Sequence, residues 1–302
     1  MQQTQEPLYF DRYSGALRRE DIYGEKPLRW AYETRAGRLC LELFIKRRLF
    51  SRLYGRWADS AGSAREIGPF IERFAVDVSE FREPVESFRT FNQFFYRQLR
   101  PEARPIAEGT NQIIFPADGR HLFISDLSAE QFLWAKGQRF DLATLLGDAA
   151  LAERFASGSA LISRLCPTDY HRFHFPWEGF AGTPRDIGGL LYSVNPLVLA
   201  RNLEVLWQNK RRLTQVRDPR LGDCLFLEIG ATNVGSIVAT SPPETAVTKG
   251  QEKGYFRFGG SMVMTLFLPG RIIPMPDLAG QSNSGIELYA RMGDVAANLA
   301  GE

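Results

Sequence analysis

The chain has 302 residues, 44% hydrophobic and 24% charged, a composition ordinary for a folded protein with one large domain or two small ones. A net charge of +2 gives no global electrostatic footprint for nucleic acid. The three cysteines, Cys40, Cys166 and Cys224, show no metal-ligand spacing, and no apolar run approaches the ~20 residues that span a bilayer. The first residues lack the charged and apolar regions of a signal peptide, so the expectation is a soluble or membrane-peripheral protein of a reducing, cytoplasmic compartment.

Residues 1–26 are polar and aromatic without a clear period. From Leu28 to Trp57 the pattern is helical: Leu39, Leu43, Phe50 and Leu53 recur at helix-compatible spacings, among Arg38, Lys46, Arg47, Arg48, Arg52 and Arg56. Such a helix is either an ordinary one with solvated arginines or a basic amphipathic one lying among lipid headgroups. A second helix is expected over Ala64–Phe81, with Ile67, Phe70, Ile71 and Phe74 as its apolar set, and a third over Ser87–Arg97, whose Phe91, Phe94 and Phe95 read as core. After Ile106 the texture changes to short apolar runs broken by Gly, Pro and Asp. Strands are predicted at Ile113–Phe115, His121–Ile124, Leu225–Ile229 and Gly235–Val238, and helical interruptions at Leu142–Leu146 and Pro196–Asn209. The fold class expected is α+β: N-terminal amphipathic helices, residues 1–105, on a mainly β catalytic body, residues 106–302.

One stretch stands out, Tyr255-Phe256-Arg257-Phe258-Gly259-Gly260-Ser261-Met262-Val263-Met264. Its plain reading is a strand interrupted by a bulge. Its sharper reading is a peptide bond prepared for self-cleavage, because Gly260 has no Cβ and can hold a geometry in which Ser261 Oγ approaches the Gly260 carbonyl. Attack there shifts the acyl group from nitrogen to oxygen, elimination splits the ester and leaves a dehydroalanine, and hydrolysis yields a pyruvoyl group. That chemistry needs a general base and a group that orients it. The chain has three histidines, His121, His171 and His174. The His171-x-x-His174 spacing could suggest a metal, but no further histidine or cysteine lies in a convincing pattern, and no metal is expected. The carboxylate candidate is Asp118 in Pro116-Ala117-Asp118-Gly119, which is equally a turn signal.

With these residues in view the chain resembles the phosphatidylserine decarboxylases, self-processing pyruvoyl enzymes. The likeness runs from about Leu28 to Met292. It rests on Phe91-Asn92-Gln93-Phe94-Phe95-Tyr96-Arg97, Pro116-Ala117-Asp118-Gly119, Tyr170-His171-Arg172-Phe173-His174, Tyr192-Ser193-Val194-Asn195-Pro196, the run from Gly230 to Ile237, and Lys253 to Ser261. The resemblance implies cleavage between Gly260 and Ser261, with Ser261 becoming the covalent pyruvoyl cofactor. It implies that Asp118 and His174 activate the serine and that His171 assists decarboxylation. It also implies phosphatidylserine as substrate, phosphatidylethanolamine as product, and two chains from one precursor. The enzyme would sit peripherally on the cytoplasmic side of the cell membrane, with Arg47, Arg48 and Arg52 against an anionic surface; a homodimer is compatible with this, and nucleic acid is not a partner.

The sequence departs from the family pattern at Met262, where threonine is usual, and at Leu288 in Gly285-Ile286-Glu287-Leu288, a second lost hydroxyl. Three other readings stay open: a relative acting on a soluble amino acid, a serine hydrolase using Ser261 with the chain intact, and an unprocessed lipid-binding homologue. The absence of a Gly-x-Ser-x-Gly elbow around Ser261 weakens the second.

Overall fold

Apolar runs in the second half of the chain build the middle of an 11-stranded sheet whose central strands are covered on both faces. The computed structural model describes residues 7–46, 48–129, 140–231, 237–259 and 261–301. The strand order is Thr245–Val247, Gly179–Ala181, Arg211–Asp218, Gly222–Gly230, Ser261–Phe267, Ser159–Leu165, Gly119–Ile124, Glu287–Ala290, Leu8–Asp11 and Ala16–Arg19, with Arg185–Ile187 beside Arg211–Asp218. Pairing is antiparallel except where Leu8–Asp11 runs parallel to Glu287–Ala290.

Side chains alternate across this sheet and feed two cores. On one face Ile162, Leu225, Leu227, Ile229, Met262 and Met264 pack with the short helices Leu142–Leu146, Ala149–Phe155, Pro196–Leu199 and Val205–Gln208. On the other, Leu161, Leu165, Phe226, Val263 and Phe267 pack with Phe173, Phe175 and Phe256. Those last residues belong to or flank a three-stranded sheet, Ile237–Ala239, Glu252–Phe256 and Arg172–His174. A second three-stranded sheet joins Ile272–Pro274, Val295–Leu299 and Gln112–Ile114.

The N-terminal third adds helices α1 (Glu25–Glu33), α2 (Arg35–Cys40), α3 (Arg48–Ala58), α4 (Ile67–Phe74) and α5 (Phe91–Phe95), with a π-helical turn, Leu41–Ile45, before α3. Ala58, Ile67, Phe70, Phe81, Phe91, Phe94 and Phe95 form a third core, and the body contributes Phe258 to it. The fold is α+β with a mainly β body, as expected. The local corrections have physical causes. Residues 8–19 form a hairpin on the sheet edge, too exposed to carry an alternating pattern. The helix expected over Ala64–Phe81 is three pieces, the 3₁₀ turns Ala61–Glu66 and Val78–Glu80 flanking α4. The one expected over Ser87–Arg97 shrinks to α5, because Thr90 caps it by accepting from Gln93 N–H at 3.2 Å. Pro196–Asn209 is two short helices rather than one.

Candidate active site

Ser261 opens the strand Ser261–Phe267, with Gly230 and Leu165 as its neighbours across the two adjoining strands. Its side chain is wholly buried and its Oγ has no hydrogen-bond partner among the described residues. Met262 points to the opposite face, into the core with Ile162 and Ile229, so the family's missing hydroxyl is replaced by packing on the far side of the strand. Upstream, Phe256 N–H donates to the His171 carbonyl at 3.0 Å and Phe258 N–H to Asn92 Oδ1 at 2.8 Å. The Phe258 ring is held by Phe91 and Phe95, each at 4.9 Å between centroids, and by Tyr54 at 5.6 Å. Gly259 then takes φ 137°, a conformation that a residue with a Cβ rarely adopts. Gly260, the expected acyl side of the cleavage, lies outside the described residues.

The two histidines lie on extended backbone at and just before the strand Arg172–His174, which sends them to opposite sides. His171 stacks on Phe95, 3.8 Å between centroids, and its Nδ1 bonds the Asp169 carbonyl at 2.9 Å. That bond makes Nδ1 the protonated nitrogen and leaves Nε2, buried and without a partner among the described residues, as the lone-pair bearer. Burial pushes the His171 pKa down to about 3, and the Arg97 charge adds to the fall. His174 lies beside Tyr170, 5.8 Å between centroids, with Nδ1 buried and without a partner among the described residues. Burial lowers its pKa to about 4, against the opposing pull of Glu252 and Asp118. Both imidazoles are therefore neutral near pH 7 and able to accept a proton. The third histidine, His121, is different: Nδ1 meets Ser163 Oγ at 2.9 Å and Nε2 the Ala290 carbonyl at 3.2 Å, so both nitrogens are used structurally.

Asp118 sits in the bend before Gly119–Ile124, and the His174 N–H donates to the Pro116 carbonyl, two residues away, at 2.8 Å. The strands approach so closely that a Cβ on Gly119 would lie 2.4 Å from the Arg164 carbonyl oxygen, which accounts for the glycine after Asp118. The Asp118 carboxylate accepts from Arg104 Nε at 2.8 Å, from Arg104 Nη2 at 2.6 Å and from Met292 N–H at 2.9 Å. It acts on His174 through its field rather than by a hydrogen bond. Arg104 and Asn92 were not singled out by sequence; their partners lie 14 and 166 residues away, and no local pattern marks such pairs.

Beside Gly259 opens a cavity of about 340 Å³ between the N-terminal segment and the body, lined by Tyr23, Tyr32, Tyr54, Cys166, Ser193 and Asn195 among others. Of these, Asn195 also caps the helix Pro196–Leu199, its Oδ1 accepting from Leu197 N–H at 3.0 Å. Glu20 and Arg164, on the cavity wall, belong to a buried ion cluster. Arg164 Nη1 donates to Glu20 at 3.1 Å and Nε to Glu287 at 2.8 Å. Among the described residues, no group of three or more His, Cys, Asp or Glu could hold a metal ion, and no helix is long and apolar enough to cross a membrane.

The chain matches the phosphatidylserine decarboxylase family over residues 91–294. A Chlamydia muridarum protein named phosphatidylserine decarboxylase proenzyme is 45% identical over 291 residues, 96% of this chain and 97% of the relative. Proteins of the same name from Chlamydia felis and Clostridium perfringens are 41% and 40% identical, covering 97% and 96% of this chain and 98% of each relative. The match spans both Ser261 and the histidine pair, and the chain belongs to the phosphatidylserine decarboxylase family.

Proposed function

We propose that the chain is a proenzyme that cuts itself between Gly260 and Ser261 and then, as a carboxy-lyase, converts phosphatidylserine to phosphatidylethanolamine. The observation that carries this reading is the set of buried atoms Ser261 Oγ, His171 Nε2 and His174 Nδ1, which have no hydrogen-bond partner among the described residues. Other buried atoms, Thr214 Oγ1 and Thr265 Oγ1 among them, lack such a partner too, but these three alone combine a hydroxyl nucleophile with neutral bases on segments that hydrogen-bond to one another, the Phe256 N–H donating to the His171 carbonyl.

His174, neutral and under the field of Asp118, takes the Ser261 Oγ proton. The oxygen bonds to the Gly260 carbonyl carbon, the peptide C–N bond breaks, and the freed nitrogen takes a proton, giving an ester. Loss of the Ser261 Cα proton and cleavage of Cβ–Oγ release Gly260 as a carboxylate and leave dehydroalanine, from which water displaces ammonia. The imidazolium formed transiently on His174 is stabilised by Asp118 and Glu252. The residues fit a pyruvoyl group at position 261, since Ser261 is buried with its oxygen unpaired and a cavity opens beside Gly259. Once formed, that group supplies an electrophilic carbonyl that captures the substrate amine and draws off the electron pair left by departing carbon dioxide. His171, its tautomer fixed by the Asp169 carbonyl, offers its Nε2 lone pair to orient the water that returns a proton to the substrate carbon.

Reach to a lipid substrate is supported by Trp30, Leu39, Leu43, Phe44, Leu53 and Trp57, all large, apolar and exposed on α1–α3 and the turn between them. They suit insertion below the headgroups of a membrane surface, which we assign to the cytoplasmic side of the cell membrane. Arg47 and the side chains of Arg48 and Arg52, expected to meet anionic lipid, lie outside the described residues.

Intact mass under denaturing conditions tests the reading. Two chains are expected, the smaller being residues 261–302 with a pyruvoyl N-terminus. His174→Ala should stay one chain, and His171→Ala should split yet fail to turn over. A wild-type chain that stays whole refutes self-cleavage. Carbon dioxide release from free serine but not from phosphatidylserine vesicles refutes the lipid substrate.

A further inference from the structure

We infer that Asn92 is a positioning residue for self-cleavage, the upstream anchor against which the scissile bond is held; this rests on the cleavage reading above. Ser261 is fixed downstream by strands on both sides. The next fixed point upstream is Phe258, whose N–H donates to Asn92 Oδ1 at 2.8 Å and whose ring is enclosed by α3 and α5. Between the anchors lie only Gly259, at φ 137°, and Gly260. With Ser261 set by strands and only two residues separating it from Phe258, the placement of Phe258 bears on how the bond before Ser261 is presented to Ser261 Oγ. That is the geometry on which attack depends, and small misplacements of a near-attack geometry are costly.

Asn92 is itself held. It is 1% exposed, and its Nδ2 donates to Asp59 Oδ1 at 2.9 Å, just past the end of α3. The other Asp59 oxygen accepts from Arg257 Nη1 at 3.3 Å. Asp59 thus grips the cleavage segment twice, once directly and once through Asn92. Phe95, on the same short helix as Asn92, stacks on His171, and Arg172 Nε donates to the Tyr96 carbonyl at 3.0 Å. One five-residue helix therefore sets both the cleavage segment and the histidine loop.

The test follows conversion of full-length chain to two chains in wild type, Asn92→Ala, Asn92→Asp and the exchange Asp59→Asn/Asn92→Asp. Unfolding temperatures are read on the same variants carrying Ser261→Ala, which stay uncut. Asn92→Ala is expected to slow cleavage at least tenfold. Asn92→Asp does the same, because it sets two carboxylates face to face. The exchange restores at least a third of the wild-type rate, since the new amide at position 59 donates to the new carboxylate at position 92, which still accepts from Phe258 N–H. Turnover per pyruvoyl group, on chains that have split, falls less than threefold, because after the cut Phe258 lies on the other chain. Cleavage of Asn92→Ala at the wild-type rate overturns the inference. So does an exchange no faster than Asn92→Asp, or a rate loss that merely tracks the fall in unfolding temperature. A wild-type chain that never splits fails the underlying reading instead, and is told apart because the substitutions then change nothing.

Discussion

Replacing Arg164 by methionine removes a guanidinium that is 2% exposed and bonded to two carboxylates, Glu20 and Glu287, both buried. Burial by itself would raise the Glu20 pKa, but Arg164 and then Arg120 pull it down to about 2. Breaking a buried ion pair by deleting one partner costs about 3–5 kcal/mol, because the remaining charge stays desolvated. With an unfolding entropy of about 2.1 cal/mol/K per residue over 302 residues, that is a fall of about 5–8 °C in Tm. The pH dependence has a definite sign. In wild type the Glu20 contribution is present above its unfolded pKa, 4.5, and is lost as pH falls toward 2. In Arg164→Met, burial is no longer opposed by Arg164, so Glu20 binds protons more readily than before and the deficit shrinks as pH falls. Thermal unfolding at pH 7 and pH 3.5, both proteins carrying Ser261→Ala so that each is a single chain, measures this. A Tm loss under about 2 °C at pH 7, or a gap that widens at pH 3.5, refutes the reasoning.

Two further outcomes follow from the same geometry. Met262→Thr, which restores the family's usual residue, should leave the cleavage rate within threefold and lower stability by about 2–4 kcal/mol, because the side chain is fully buried opposite Ser261; cleavage timing and denaturant unfolding check both halves. Changing Leu43, Phe44 and Leu53 together to serine should weaken binding to anionic vesicles at least tenfold in a flotation assay while Tm stays within about 2 °C, since all three are exposed.

The central strands were legible because they are buried on both faces and so read as continuous apolar runs: Leu225–Ile229 lies within Gly222–Gly230, and His121–Ile124 within Gly119–Ile124. The stripe Phe91, Phe94, Phe95 was legible as core for the same reason, although the helix around it is half the expected length. The hairpin at Leu8–Arg19 was not, because an edge hairpin with little burial has no pattern to display. Ser261, His171, His174 and Asp118 could be put forward as candidates from residue type, scarcity and family likeness. What could not be read was who holds them. The Arg104 fork on Asp118 and the Asn92 clasp on Phe258 depend on approaches that only the folded chain creates.

The sheet order has a consequence for the life history of the molecule. Ser261–Phe267 lies between Gly222–Gly230 and Ser159–Leu165, and Glu287–Ala290 between Gly119–Ile124 and Leu8–Asp11. On the proposed cut before Ser261, the C-terminal fragment would stay woven into the larger one as interior strands and could not leave without dismantling the sheet. Assembly would then be solved once, as a unimolecular problem, and made irreversible by the cut. A mature protein unfolded in denaturant faces a bimolecular search its precursor never had, so its recovery should depend on concentration where that of the uncut Ser261→Ala chain does not.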